Sequence, residues 1–158
     1  MAKRGFVIAL GAASVAVMLG GIALAPVVKA SDPVTERKED MKKVGGAAKL
    51  LGGMMKGDVA YDAAKAAEAA TTIADVAKEF PEYFPTAPAE GEDTSASPKI
   101  WETMDDFKAK SAALATDAAA LATAAAAATS ADDAFKAAAG KMFGHCKDCH
   151  EAYRVKKG

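Results

Sequence analysis

The chain has 158 residues, of which 51% are hydrophobic and 6% aromatic, and its formal net charge is −1 at pH 7. This length is typical of one domain behind a short leader, and the balanced charge excludes the basic footprint of a nucleic-acid-binding protein. Few aromatic residues among many alanines predict a thin hydrophobic core that a bound apolar group would complete.

The first 30 residues have the features of a secretory signal peptide. A basic start (MAKR) precedes an apolar run over residues 6–25, and Val28 and Ala30 form a cleavage box. We expect cleavage after Ala30 and a mature periplasmic domain over residues 31–158, with 17 basic and 21 acidic residues and no membrane contact. The competing interpretation is an uncleaved membrane anchor, because the apolar run approaches the roughly 20 residues of a spanning helix.

The next two helical patterns predict a helical hairpin. Asp32 and Pro33 are expected to start the first helix and Gly57 to end it, with a short turn at Gly57 and Asp58. The second helix keeps the same alternating three-and-four spacing and ends before Pro81. The two seams comprise Val34, Arg37, Met41, Val44, Ala48, Leu51 and Met55, and then Val59, Ala63, Ala66, Ala70, Ile73, Ala77 and Phe80.

Two further helices are predicted after a long loop over residues 81–97. Ser97 is expected to cap the third helix with Pro98 at its first position, and Ser130 or Asp132 to open the fourth. No stretch alternates like a strand, so the predicted fold is an all-α antiparallel four-helix bundle. The seams are Ile100, Met104, Phe107, Ser111, Leu114, Ala118 and Leu121, and then Phe135, Ala139, Met142, Cys146, Cys149 and Tyr153.

The most specific feature is a CxxCH motif formed by Cys146, Cys149 and His150. Two thiols at this spacing can each form a thioether with a haem vinyl group, and the adjacent imidazole then binds the iron. A redox dithiol would call for a βαβ context, a tetrahedral zinc ion is poorly surrounded by neighbours on one helix, and a disulfide would close too short a loop. The motif therefore predicts one covalent haem c with His150 as an axial ligand.

A second axial ligand must come from an earlier helix. His145, the other histidine, shares a helix with His150. Met41 is preferred because it lies on the first seam one turn after Arg37, a cation that a buried seam tolerates when an anion such as a haem propionate pairs with it. The alternative for Met41 is ordinary core packing. The methionines that qualify by type are Met41, Met54, Met55, Met104 and Met142.

The mature chain resembles the class II cytochromes c, the cytochrome c′ family of exported bacterial haem proteins. The resemblance implies a four-helix bundle with one covalent haem and suggests a propionate partner at Arg154. Family members with a bulky apolar residue at the position of Met41 have five-coordinate iron that binds small gases, whereas a methionine there accompanies a six-coordinate electron carrier. The matching residues are the CxxCH motif with Tyr153 and Arg154, Arg37 and Met41, Phe80, Phe84 and Pro85, and Pro98 to Trp101.

This ligand pair predicts electron transfer with redox partner proteins. No enzymatic activity is expected, because apart from Arg37 no ionisable residue lies at an obvious seam position and no set of acid, base and nucleophile is found. A thioether and an imidazole favour ferrous iron relative to two nitrogen ligands. Basic residues at positions 147, 154, 156 and 157 predict a positive patch that would steer an acidic partner.

Two other functions are also compatible with the sequence. The chain could be a five-coordinate cytochrome c′ that binds nitric oxide or carbon monoxide, or a subunit that donates electrons only within a larger complex. Faces rich in small residues permit a homodimer without requiring one. Trp101 and Phe107 are expected in the wall of the haem pocket.

Overall fold

A computed structural model of the chain describes residues 32–87 and 94–155. The predicted signal peptide and the lysines at positions 156 and 157 lie outside these residues. Within the described part the chain is helical, with no strand and one isolated bridge between Ala96 and Arg154, so the all-α prediction is confirmed. The elements are α1 (Pro33–Lys56), α2 (Ala63–Glu79), a 3-10 turn (Phe80–Tyr83), α3 (Lys99–Glu102), α4 (Met104–Ala127) and α5 (Asp133–Tyr153).

Side-chain caps and a left-handed glycine define the ends of α1 and the start of α5. Asp32 accepts a hydrogen bond from the Thr35 N–H at 2.9 Å, and Gly57 ends α1 with a φ of 80°. Such a φ favours glycine because a Cβ would be strained there. Asp132 accepts from the Phe135 N–H at 2.8 Å, which selects Asp132 over Ser130 as the start of the last helix.

The turn between α1 and α2 is longer than predicted. Asp62 caps α2 by accepting from the Lys65 N–H at 3.0 Å, so Val59 lies before the helix and outside its seam. Val59 instead folds back on α1, where its N–H donates to the Gly53 carbonyl at 3.2 Å. A Cβ at Gly53 would lie 2.8 Å from the Val59 Cγ2 atom, so this close approach requires glycine.

The third predicted helix is divided in two. It begins at Lys99, one residue later than expected, and is interrupted at Thr103, whose hydroxyl donates to the Lys99 carbonyl at 2.9 Å. A threonine hydroxyl that bonds to the preceding turn competes with helix continuation. The longer piece, α4, then runs to Ala127.

Two hydrophobic clusters organise the packing. The larger one joins α1, α2, α4 and α5 through small residues such as Ala66 and Ala118 and through Leu51, Met54 and Phe135. The smaller one consists of Phe84, Ile100, Phe107 and Tyr153 at the other end of the bundle. None of the helices in residues 32–87 and 94–155 combines the length and apolar character needed to cross a bilayer.

Candidate haem site

A cavity of about 440 Å³ lies between the N-terminal part of α1 and the C-terminal half of α5. Cofactor sites commonly measure roughly 300–1,000 Å³ and are mostly apolar, so both its size and its lining suit a large flat ligand. Helices α2 and α4 complete the walls. The apolar lining includes Val34, Val44, Val76, Phe80, Phe84, Phe107, Leu114 and Phe143.

Helix α5 presents Cys146 and Cys149 to the cavity. Both thiols are partly buried and neither is in a disulfide. Burial raises the pKa of each, with a further contribution to Cys149 from Cys146, whereas reactive dithiols have a lowered thiol pKa. No cluster of three His, Cys, Asp or Glu side chains suited to a metal ion occurs within the described residues, so the zinc arrangement is not formed there.

His150 lies at the cavity rim, one residue after Cys149. Partial burial lowers the pKa of its imidazole, and the nearby charge of Arg154 lowers it further. A lower pKa favours the neutral imidazole, which is the form that binds metal ions. The lowered pKa of His150 therefore agrees with a role as a metal ligand.

His145 is held away from the cavity by α4. Its Nε2 atom lies 2.5 Å from Oδ2 of Asp117, and the Lys141 ammonium donates to Oδ1 of the same carboxylate at 2.9 Å. These contacts join α5 to α4 outside the cavity lining. Of the two histidines, both in the described part of the chain, His150 alone lines the cavity.

Replacing Asp117 by asparagine should lower the Tm by a few degrees at neutral pH. Hydrogen bonds from Lys141 and His145 lower the pKa of Asp117 below its ordinary value of 3.8. The carboxylate therefore stabilises the fold above that pH and loses this contribution as the pH falls through the lowered pKa. The Tm of the wild type and of Asp117→Asn should be measured from neutral pH into strong acid. The two Tm values should converge as the pH falls. Asp75→Asn is the control, because Asp75 and Lys78 form an exposed pair; equal effects of the two substitutions would contradict the prediction.

Helix α1 supplies Met41 and Arg37. Met41 is partly buried and lines the cavity, whereas Met54 and Met142 are buried in the larger cluster. Met55 and Met104 pack against the two clusters and are likewise absent from the lining. The structure thus brings only one of the five candidate methionines, all of them described residues, to the cavity that contains the two cysteines.

Arg37 and Arg154 both line the cavity in different environments. Arg37 is 7% exposed, its Nε–H donates to the Pro33 carbonyl at 3.1 Å, and its guanidinium lies 4.6 Å from the centre of the Phe84 ring. Stacking on an aromatic face stabilises a cation where water is scarce. Arg154 is exposed at the end of α5. Each places a cation where a carboxylate of a bound cofactor could reach it.

Trp101 was predicted in the wall of the haem pocket, but it is absent from the cavity lining. Its ring packs on Phe84 with centroids 5.8 Å apart, and its Nε1–H donates to the Phe84 carbonyl at 3.2 Å. Phe107 does line the cavity and contacts Phe84 edge-on at 4.9 Å. Trp101 therefore supports the aromatic wall from behind.

A short strap at residues 94–97 closes the cavity beside His150. The Ser97 N–H donates to the Tyr153 carbonyl at 2.9 Å, and the Val155 N–H donates to the Ser95 carbonyl at 2.8 Å. Thr94, Ser95 and Ala96 all line the cavity. This wall was missed in the sequence, because a loop without periodicity gives no signal for its partner.

The donor set and the lining fit a haem c. Two thiols, an imidazole and a thioether meet in one apolar cavity, and two arginines are placed for carboxylates. Gly45 also lines this space, and a Cβ added there would meet no atom within 4 Å, so the backbone of α1 leaves room beside Met41.

Residues 32–154 match a family model described as Cytochrome C′. Cytochrome c-556 from Agrobacterium fabrum is 43% identical over 143 residues, which cover 90% of this chain and 94% of that protein. The structure of cytochrome c′ from Rhodopseudomonas palustris superposes with a TM-score of 0.73 at 35% identity, covering 81% of this chain and 99% of that one. An NMR-validated model of oxidised R. palustris cytochrome c556 gives a TM-score of 0.68 at 30% identity, covering 80% and 98%.

Proposed function

Because the chain belongs to the cytochrome c′ family, we propose that it is an exported electron carrier in which Met41 and His150 bind the haem iron. Members of this family have a four-helix bundle with one covalently attached haem c, so the predicted fold and cofactor are confirmed. The axial ligand pair, the redox role and the export are the proposal.

The position of Met41 in the cavity wall carries the proposal. Met41 comes from α1 and His150 from α5, and both line the cavity that holds the two cysteines. A thioether and an imidazole give a higher reduction potential than two nitrogen ligands, which suits reversible electron exchange. Similarity to proteins named cytochrome c-556 fits the methionine-ligated branch of the family.

The remaining side chains would hold the cofactor and shield it. When bound, the haem supplies one-electron exchange between ferric and ferrous iron. Cys146 and Cys149 would make it permanent through thioethers, and Arg37 and Arg154 would pair with its propionates. Phe84 and Phe107 exclude water from one side, which tunes the reduction potential through local polarity.

The proposed location is the periplasm. It rests on the signal peptide predicted over residues 1–30 and on attachment of haem c outside the bacterial cytoplasm. Redox partner proteins are the proposed partners. A role as electron carrier, with no substrate chemistry of its own, agrees with relatives that are named as cytochromes.

Absorption spectra of the ferric and ferrous holoprotein, compared with Met41→Ala, test the ligand assignment. The wild type should be low-spin and show the weak long-wavelength ferric band that marks a sulfur-to-iron bond. The substitution should abolish that band, make the ferric iron high-spin and open a site for carbon monoxide, because alanine provides no ligand.

Met55→Ala is the matched control. Met55 lies on the same helix, packs against the larger cluster and does not line the haem cavity, so its loss should leave the spectrum unchanged. A high-spin wild-type spectrum that Met41→Ala does not alter would overturn the proposal and indicate the five-coordinate, gas-binding alternative.

A further inference from the structure

Tyr153 joins α5 to α4 and to the strap at residues 94–97. Its side chain is 4% exposed, lines the haem cavity from the last turn of α5, and contacts Phe107 of α4 edge-on with ring centroids 5.3 Å apart. Its main-chain carbonyl accepts from the Ser97 N–H of the strap at 2.9 Å. These contacts fix the ring, so the position of its hydroxyl group is fixed as well.

The Tyr153 hydroxyl donates to Oδ2 of Asp106 at 2.5 Å. A phenol hydroxyl has a single proton to donate, and hydrogen bonds to a carboxylate are shorter and stronger than those to neutral acceptors. Burial raises the pKa of the Tyr153 phenol, and the bond to Asp106 raises it further, so the phenol remains a donor at neutral pH. The Asp106 side chain is otherwise 56% exposed, so one oxygen of a surface carboxylate is held against a buried ring of the cavity wall.

The charge of Asp106 acts at the haem attachment site. Burial and the neighbouring Cys146 are the main causes that raise the pKa of the Cys149 thiol; Lys110 lowers this pKa and Asp106 raises it. Cys149 would carry a haem thioether in the holoprotein, so both charges would also act at the edge of the bound haem. Lys110 lines the cavity and lies 3.8 Å from Asp106, so two opposite charges of α4 lie together at this position.

We propose that Asp106, held by the Tyr153 hydroxyl against the wall of the haem cavity, lowers the reduction potential of the haem. The inference rests on the proposed electron-carrier function, to which it adds a residue that sets the driving force. Ferric haem carries one more positive charge than ferrous haem, and a nearby anion favours the ferric form. Without the hydrogen bond the carboxylate would turn toward Lys110 and water, where solvent screens most of its effect. Tyr153 is therefore a positioning residue, because it acts through the carboxylate that it holds.

The midpoint potentials of the holoprotein and its variants, measured by spectroelectrochemical titration at neutral pH, test the effect of the charge. Asp106→Asn keeps a hydrogen-bond acceptor of the same shape and removes the negative charge, so the potential should rise. Lys110→Gln removes the opposite charge and should lower the potential. Asp105→Asn is the matched control, because Asp105 is the exposed neighbour in the same first turn of α4 and has a similar interaction with the helix dipole. Equal shifts in Asp106→Asn and Asp105→Asn would overturn the proposal.

A double-variant cycle tests the hydrogen bond. Tyr153→Phe keeps the ring and removes only the hydroxyl, so its potential should also rise, by less than that of Asp106→Asn. In the Tyr153→Phe background, the Asp106→Asn substitution should shift the potential no more than Asp105→Asn does. An Asp106→Asn shift that keeps its full size without the hydroxyl would show that the carboxylate acts without Tyr153 and would contradict the proposal.

The hydroxyl proton of Tyr153 gives a readout that does not depend on electron exchange. In the NMR spectrum of the ferrous holoprotein it should resonate far downfield, move upfield in Asp106→Asn and stay in place in Asp105→Asn. A hydroxyl proton that Asp106→Asn does not move would show that the holoprotein lacks this hydrogen bond, and the proposal would fail. A high-spin absorption spectrum that Met41→Ala leaves unchanged would overturn the proposed function, whereas equal potentials of Asp106→Asn and Asp105→Asn in a low-spin protein would overturn the role of Asp106 alone.

Discussion

Replacing Cys146 and Cys149 together by alanine should leave no haem bound to the denatured chain. Both thiols line the cavity and neither is in a disulfide, so both are placed for thioether formation. Without these bonds the haem is retained only by reversible contacts. Its stabilisation of the fold then depends on the concentration of free haem. Haem staining after denaturing electrophoresis and extraction into acidified organic solvent both measure this loss.

Three further variants make that result specific. Each single cysteine substitution keeps one thioether and should retain haem through denaturation, which separates loss of attachment from failure to fold. Lys147→Ala changes an exposed residue between the cysteines and should behave like the wild type. Haem that remains on the denatured double variant would show that attachment uses other atoms.

Replacing Phe135 by alanine should reduce the free energy of unfolding by about 3–5 kcal/mol. Phe135 is 0% exposed and contacts Tyr61 edge-on with ring centroids 5.2 Å apart. Removing this ring leaves a void in the larger cluster that surrounding helices fill only in part. Because Phe135 does not line the cavity, the haem spectrum should be unchanged while the denaturant midpoint falls.

Tyr61→Phe is the companion to that experiment. It removes only the hydroxyl that donates to the Ala125 carbonyl at 2.8 Å and should cost about 1 kcal/mol. A loss as large as that of Phe135→Ala would show that the hydrogen bond, rather than ring packing, stabilises this end of the bundle. A change in the haem spectrum of Phe135→Ala would show that packing in the larger cluster affects the haem cavity.

Local signals predicted the ends of helices well where a cap was the cause. Asp32, Pro33 and Gly57 bound α1 as expected, because the groups that they satisfy lie within one turn. The signal at Asp62 was overlooked because the apolar spacing continued through Val59. The break at Thr103 has a local part, the hydroxyl bond to the Lys99 carbonyl, and a distant part that spacing does not show, the Tyr153 hydroxyl of α5 that lies 2.9 Å from the Thr103 hydroxyl.

The candidate site shows the same division between local and distant causes. A motif within one helix predicted Cys146, Cys149 and His150 as site residues, and seam spacing put Met41 on the face of α1 that lines the same cavity. The seam nevertheless named Met55 at its end, whereas Met54 is the buried residue, because α1 passes from the cavity to the core of the bundle after Ala48. Lys110 could not be selected from spacing, because its place in the cavity lining follows from the packing of α4 against other helices.

The strap at residues 94–97 has a consequence for the order of folding. Its partners, Tyr153 and Val155, follow two long helices, so this pairing closes a large loop and should form late. Until then the helices can dock around a cleft whose side near His150 is still open. The thiols of Cys146 and Cys149 would thus remain within reach of attachment chemistry while most of the bundle is already assembled.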